Sequence, residues 1–224
     1  MESNLSPLAN SVRSELLHLD GVTRFSPNRR FATVFTENQP AETLFFVESG
    51  LVKLYKRGPE GKEIIIDIVA PGHFFGEQAV APDATRSVNA EILSEGVVHV
   101  IPRELFVTLC NSRTDLWRQL SELLLVSKKH LEKKIELLCL QDVEHRIMYY
   151  LHFLAASFGA RLNADEYSVS LSQGELASLI GATRETTSTT LNALARRGLI
   201  KLGRRQLIVI FANEGKAEAK AAAG

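Results

Sequence analysis

Three textures of apolar and polar residues succeed one another along the chain, and each predicts a different architecture. From Phe25 to Ile101, short apolar runs are broken by Gly, Pro and Asn. FATVF, TLFFVESG, LVKLYKRG, EIIIDIVAPG, RSVNAEILSEG and VVHVIP each read as a strand followed by a turn, with Gly50, Gly58 with Pro59, Gly61, and Pro71 with Gly72 as hairpin punctuation. Strands at that spacing, without a long helix between them, predict a sandwich or jelly-roll barrel. Ahead of them, residues 1 to about 20 place Val12, Leu16, Leu17 and Leu19 on one side of a short amphipathic helix.

The second texture starts near Arg113. No Gly or Pro occurs up to Leu140, and Leu120, Leu124, Leu131, Ile135 and Leu138 form a stripe along one long helix. About 27 residues at 1.5 Å each span roughly 40 Å, longer than a small domain needs. Such a stripe needs a cover. A parallel two-helix dimer seam is the expectation, and a helix lying over its own barrel is the other reading. Gln141 and Asp142 end the helix, and Asp142 can cap the next, Val143 to about Phe158.

The third texture is two short helices around a tight turn. Ser172 and Glu175 have the spacing of a capping box, so a helix starts at Gln173, carries Leu176, Ala177, Leu179 and Ile180 inward, and stops at Gly181. Thr183 caps a second helix, in which Leu191 and Leu194, with the methyls of Thr187 and Thr190, face a core. Arg184, Glu185, Ser188 and Thr189 face the other way, and all four can hydrogen-bond to base edges in a major groove. Leu199 to Leu202 and Leu207 to Phe211 read as strands joined by Gly203, Arg204, Arg205 and Gln206. The whole predicts a winged helix-turn-helix; a helical hairpin with a solvated polar face is the plainer alternative. The tail GKAEAKAAAG is expected to fray.

Charge sharpens this picture. The 224-residue chain has no net formal charge, yet from Leu171 to Phe211 six bases (Arg184, Arg196, Arg197, Lys201, Arg204, Arg205) face two acids (Glu175, Glu185). A local excess of about four positive charges suits a phosphate-facing module. Cys110 and Cys139 give no disulfide framework and no metal-ligand spacing, which suits a reducing compartment. No apolar run reaches about 18 residues, and the start MESNLSPLANSVRSELL is not that of a signal peptide, so a cytoplasmic, non-membrane protein is expected.

PGHFFGEQAVAPDATRSVNA, LQDVEHRI and GATRETTSTTLNAL, in that order, resemble the CRP/FNR family of bacterial transcription regulators, over nearly the whole chain. The resemblance implies an α+β protein: an amino-terminal β-roll of the cyclic-nucleotide-binding kind over residues 1–112, a long dimerisation helix over 113–141, and a winged helix-turn-helix domain over 142–224. It implies a homodimer on a pseudo-palindromic operator in double-stranded DNA, RNA polymerase as a further partner, and no enzymatic activity. Arg184 would contact guanine and Glu185 a cytosine amino group, with Thr183 at the helix start. Thr189, where the family often has Arg, implies altered reading shared with Ser188, and Arg204 and Arg205 would contact phosphate.

The same resemblance implies an effector cassette at Gly76, Glu77, Gln78, Arg86 and Ser87. There Arg86 would grip a cyclic phosphate, Glu77 would accept a ribose hydroxyl and Ser87 would complete the anion site; an Arg86–Glu77 structural ion pair is the alternative. The chain departs from cyclic-AMP responders at the helix positions that face the adenine, which here are Leu131 and Glu132. Leu131 cannot hydrogen-bond to a base, so cyclic AMP, another cyclic nucleotide, another effector or none stay open. Iron–sulfur sensing lacks amino-terminal cysteines, His73 and His99 are lone candidates for a haem, and a jelly-roll metalloenzyme would want a His-X-His pair that does not occur.

Overall fold

Aromatic and β-branched residues give the amino-terminal half its strands, and the pleat sends neighbouring side chains to opposite faces. The computed structural model describes residues 19–27, 30–203 and 206–210. The helix expected over residues 1 to about 20 (Leu19 excepted), Arg204, Arg205, Phe211 and the alanine-rich tail lie outside the described residues. The chain divides into two units, residues 1–58 with 66–131 and residues 59–65 with 132–224.

Strands β1 (Thr23–Phe25), β2 (Thr33–Phe35), β3 (Thr43–Arg57), β4 (Glu63–Val69), β5 (Phe74–Phe75) and β6 (Asn89–Pro102) form one sheet in the order β1-β6-β3-β4, with β2 also on β6 and β5 on β3. Gly50 corrects an expectation, because it is not a hairpin turn. β3 runs through it for 15 residues beside the 14 of β6, antiparallel from Thr43 opposite Pro102 to Tyr55 opposite Asn89. Register slips between Val47 and Val52, and Gly50 sits there at φ 79°. A Cβ on Gly96 would lie 2.0 Å from the Ser49 carbonyl oxygen, and one on Gly50 2.7 Å from that of Glu95. The glycines admit a bulge in which two backbones nearly touch, bending the ribbon without ending it. RSVNAEILSEG and VVHVIP are likewise one strand, which begins beyond Arg86 and Ser87.

The two faces of this ribbon make two cores. Leu44 and Phe46 pack with Ile101, Phe106, Cys110, Leu116 and Leu120, which brings in α1 (Arg103–Ser112) and the start of α2 (Thr114–Leu140). Phe45, Val47 and Val52 pack on the other side with Phe35, Phe75, Ile92 and Val98. Each such side chain contributes about 1.5–3 kcal/mol on burial.

In the second unit, α3 (Val143–Phe158) starts where Asp142 accepts from the His145 amide at 2.8 Å. β7 (Ala160–Arg161), β8 (Glu166–Val169), α4 (Gln173–Ile180), α5 (Arg184–Arg196), β9 (Ile200–Gly203) and β10 (Gln206–Ile210) follow. The wing is a four-stranded sheet ordered β7-β8-β10-β9. β7 and β8 were not expected from the sequence, and β8 pairs antiparallel with β10 from Val169 opposite Leu207 to Glu166 opposite Ile210. Ile147, Leu151, Leu154, Leu176, Ile180, Leu191 and Leu194 are buried in this unit.

The long helix has its expected 27 residues, but its stripe is not uniform. Leu120 is buried in the first unit's core and Leu138 is half-buried. Leu124, Leu125, Val126, Leu131 and Ile135 are 43–60% exposed on this single chain.

Candidate nucleic-acid interface

Capping fixes which face of each carboxyl-terminal helix is presented. The Glu175 amide donates to Ser172 Oγ at 3.2 Å and the Ser172 amide to Glu175 Oε2 at 2.6 Å, a complete capping box on α4. Gly181 ends α4 at φ 65°. The Thr186 amide then donates to Thr183 Oγ1 at 3.1 Å, starting α5. Thr187 is fully buried, its hydroxyl donating back to the Thr183 carbonyl at 2.8 Å, and with Leu191 and Leu194 it turns one side of α5 inward.

The opposite side of α5 is the candidate reading face. Glu185 and Thr189 are exposed there with Ser188 half-buried beside them, and Arg184 is exposed in the first turn, on the edge nearer Thr187 and Leu191. Thr183 is exposed at its start. Asn192 and Arg196, one and two turns further on, extend the face, and with Thr189 and Ala195 they line an open depression. Asn192 was not singled out in sequence, although its helical spacing from Glu185 and Thr189 is a signal that was there to read. The Arg184 side chain lies over Gly174 of α4: a Cβ on that glycine would be 3.3 Å from Arg184 Nε.

Two of the six bases that made this segment look strongly positive are spoken for. Arg197 pairs with Glu144 of α3, and Lys201 with Glu166 of β8, whose carboxyl the Lys201 hydrogen bond holds below its usual range. Both acids lie outside the segment counted, so the local excess of charge is smaller than the count implied. Exposed pairs of this kind are weak and can exchange for phosphate.

The cassette residues are brought together in the first unit. Gly76 is left-handed, at φ 76°, and opens the short turn Glu77–Val80. Gln78 Nε2 donates to Glu77 Oε1 at 3.0 Å and to Ser87 Oγ at 3.3 Å. Arg86, 2% exposed, donates from Nη1 to the Gly76 carbonyl at 2.9 Å, and from Nη2 to both the carbonyl and the hydroxyl of Thr43, the latter at 3.1 Å. Its guanidinium carbon lies 4.4 Å from the Phe35 ring centre and 5.3 Å from that of Phe45. Phe45 stacks on Phe75 with ring centres 4.9 Å apart, and Phe35 packs tilted against both. Burial pulls the guanidinium below its ordinary pKa, and the Glu77 carboxylate acts the other way. Among the described residues, Arg86 Nε and Gln78 Oε1 are buried without a hydrogen-bond partner. Leu131 and Glu132 are exposed on α2.

The lone histidines have ordinary places: buried His99 meets Glu48 at 2.7 Å, and His73 lies at the surface. Among the described residues no cluster of His, Cys, Asp and Glu could hold a metal ion, and no helix is long and apolar enough to cross a membrane.

A bulged antiparallel roll, a 27-residue helix and a capped helix-turn-helix with a wing define a regulator of the DNA-binding class. The Cyclic nucleotide-binding domain family matches residues 28–113, and the Crp-like helix-turn-helix domain family matches residues 145–214. The chain is 30% identical over 178 residues to a CRP-like cAMP-activated global transcriptional regulator of Mycobacterium tuberculosis, covering 79% of this chain and 80% of that one. A CRP-family transcriptional regulator from Thermus thermophilus superposes with a TM-score of 0.75 at 28% identity, covering 90% of this chain and 98% of its own. The c-di-GMP responsive global regulator of Xanthomonas campestris shares the fold, with a TM-score of 0.75 at 24% identity over 91% of this chain and all of that one. The chain therefore belongs to the CRP/FNR family of transcription regulators.

Proposed function

We propose that the chain is a cytoplasmic homodimer that reads a pseudo-palindromic duplex, one α5 per half-site, and addresses RNA polymerase from there. One observation carries the reading: Arg184, Glu185 and Thr189 are exposed, with Ser188 half-buried among them, in the first two turns of a helix whose inner side is closed by Thr187, Leu191 and Leu194. Arg184 would pair with guanine and Glu185 with cytosine, while Thr189 is too short to reach as an arginine would. Arg204 and Arg205 on the wing would position on phosphate without specifying. In this reading residues 1–112 sense, 113–141 dimerise and 142–224 bind DNA. Selecting from a randomised duplex pool and titrating the selected site tests it. Recovery of a two-half-site consensus is expected; equal affinity for the selected site, random duplex and heparin would end the proposal.

The name of the mycobacterial relative suggests cyclic AMP as effector. This cassette has the residue types for a cyclic phosphate but not the arrangement. A guanidinium grips phosphate with two parallel N–H bonds along one edge, and both edges that offer two nitrogens include Nη2. Here Nη2 already serves two acceptors on Thr43. As held, Arg86 offers a phosphate only its unpartnered Nε, and a two-bond grip would first require Nη2 to leave Thr43. We therefore favour DNA binding that needs no nucleotide, with Arg86 as an internal strut of the roll. Calorimetric titration with cyclic AMP and cyclic GMP should give no binding heat, and neither should change operator affinity. Micromolar binding that tightens DNA would reverse this.

A further inference from the structure

A helix leaves its last carbonyls without partners in its own backbone, and at the end of α4 two cations from outside the motif supply them. Lys134 Nζ, on a residue 6% exposed, donates to the Leu179 carbonyl at 2.8 Å. Arg146 donates from Nη1 to the Ile180 carbonyl at 2.8 Å and from Nε to that of Asp142 at 3.4 Å. Between them Leu138 Cδ2 occupies the room a side chain on Gly181 would need, 2.8 Å from where its Cβ would lie. The Tyr150 ring, centred 5.4 Å from Lys134 Nζ, closes the group.

Packing alone does not account for an ammonium there. Burying one costs several kcal/mol unless it is hydrogen-bonded, and a leucine or methionine fills the same volume without that cost. What the cation adds is a directed bond to a fixed acceptor at the negative end of the α4 dipole. Lys134 and Leu138 come from the end of α2 and Arg146 from the first turn of α3, so the turn between α4 and α5 is tied at three points. Those ties fix how α4, and with it α5, is rotated against the end of α2.

We propose that Lys134 and Arg146 are positioning residues for base reading: without touching DNA, they set the direction in which Arg184 and Glu185 leave α5. This rests on the DNA-reading proposal above. The test uses the full-length protein and anisotropy titrations, over a range of salt, on the operator selected by the wild type and on random duplex of equal length. Arg146→Gln and Lys134→Met should each weaken operator binding about tenfold or more, within the range of a misread base pair. Binding to random duplex and the salt slope should not change, and Arg146→Lys should recover most of the loss.

Unchanged operator binding would overturn the proposal. So would a loss on both duplexes with the salt slope lowered by about one, which would make these residues phosphate contacts. An equal loss accompanied by a lower unfolding temperature would reduce them to general stabilisers. Should Lys134→Met fail to fold, half-buried Arg146 carries the test, since its Gln variant removes the charge at a site open to solvent. A wild type without sequence preference, by contrast, would sink the DNA-reading proposal and this one with it.

Discussion

Arg184 and Arg86 show how the same side chain serves opposite ends depending on what surrounds it. Arg184 is exposed with its guanidinium resting over Gly174, and in the proposed reading that fork meets a guanine edge. Arg184→Ala should cost about 1–3 kcal/mol on the selected operator and flatten discrimination at one base pair, read by titrating single-base variants of the site. An equal loss on random duplex would make it a phosphate contact. Arg86 is the reverse case, with its terminal nitrogens given to Gly76 and Thr43. Arg86→Ala leaves those buried acceptors unpaired and should lower folding stability by about 1–3 kcal/mol in a urea melt. Unaltered stability would show the strut to be dispensable. Spacing made part of the reading face legible, since helical periodicity separates Glu185 and Thr189 from Thr187 and Leu191, whereas Arg184, three and seven residues before that inward pair, is exposed in the first turn of the helix. The partners of Arg86 were not legible, and neither were those of Lys134 and Arg146. Their bonds reach carbonyls 45 and 34 positions along the chain, which no local pattern encodes.

Helices declared themselves through their ends and strands did not. Ser172 with Glu175, Thr183 and Asp142 each mark a boundary by bonding three residues away, so α3, α4 and α5 start where their caps fall, and Gly181 ends α4 by its left-handed φ. Gly50 misled because a glycine that permits a bulge has the same composition signal as one that permits a turn; only the carbonyls of β6 pressing against it distinguish the two. β7 and β8 escaped because strands of two and four residues carry too little periodicity, and pairing is what makes them strands, β8 with β10 and β7 with β8. Gly174 is a different case. It lies inside α4, does not have a positive φ, and a Cβ there would meet only the movable end of Arg184. Gly174→Ala should therefore stabilise the second unit by roughly 0.5–1 kcal/mol, from the helix preference of Ala over Gly. A melt showing destabilisation would mean that Arg184 is held against α4 more tightly than the contact implies.

The two possible covers for the long helix can be told apart by where its apolar residues sit. A helix lying over its own roll would have its stripe buried, and among the described stripe residues that holds for Leu120, which packs on the roll's core with Leu116 and Trp117. Leu124, Leu125, Val126, Leu131 and Ile135 stay 43–60% exposed, an apolar patch spread over about three turns that calls for a cover. In the proposed dimer its complement is the same surface of a second copy, where a twofold seam would set Leu131 and Ile135 against apolar residues instead of charge. Glu132, also exposed, would lie beside that seam. Leu131→Glu with Ile135→Glu puts two like charges per chain into the seam and touches no core of the single chain. Sedimentation should then show a monomer at micromolar concentration, with each chain's melting unchanged apart from loss of concentration dependence. Operator affinity should fall far more than affinity for one half-site, because the gain from presenting two reading helices on one rigid body is lost. If the double variant remains a dimer, the seam lies elsewhere; if it becomes a monomer yet binds the operator as before, the two half-sites are not read together.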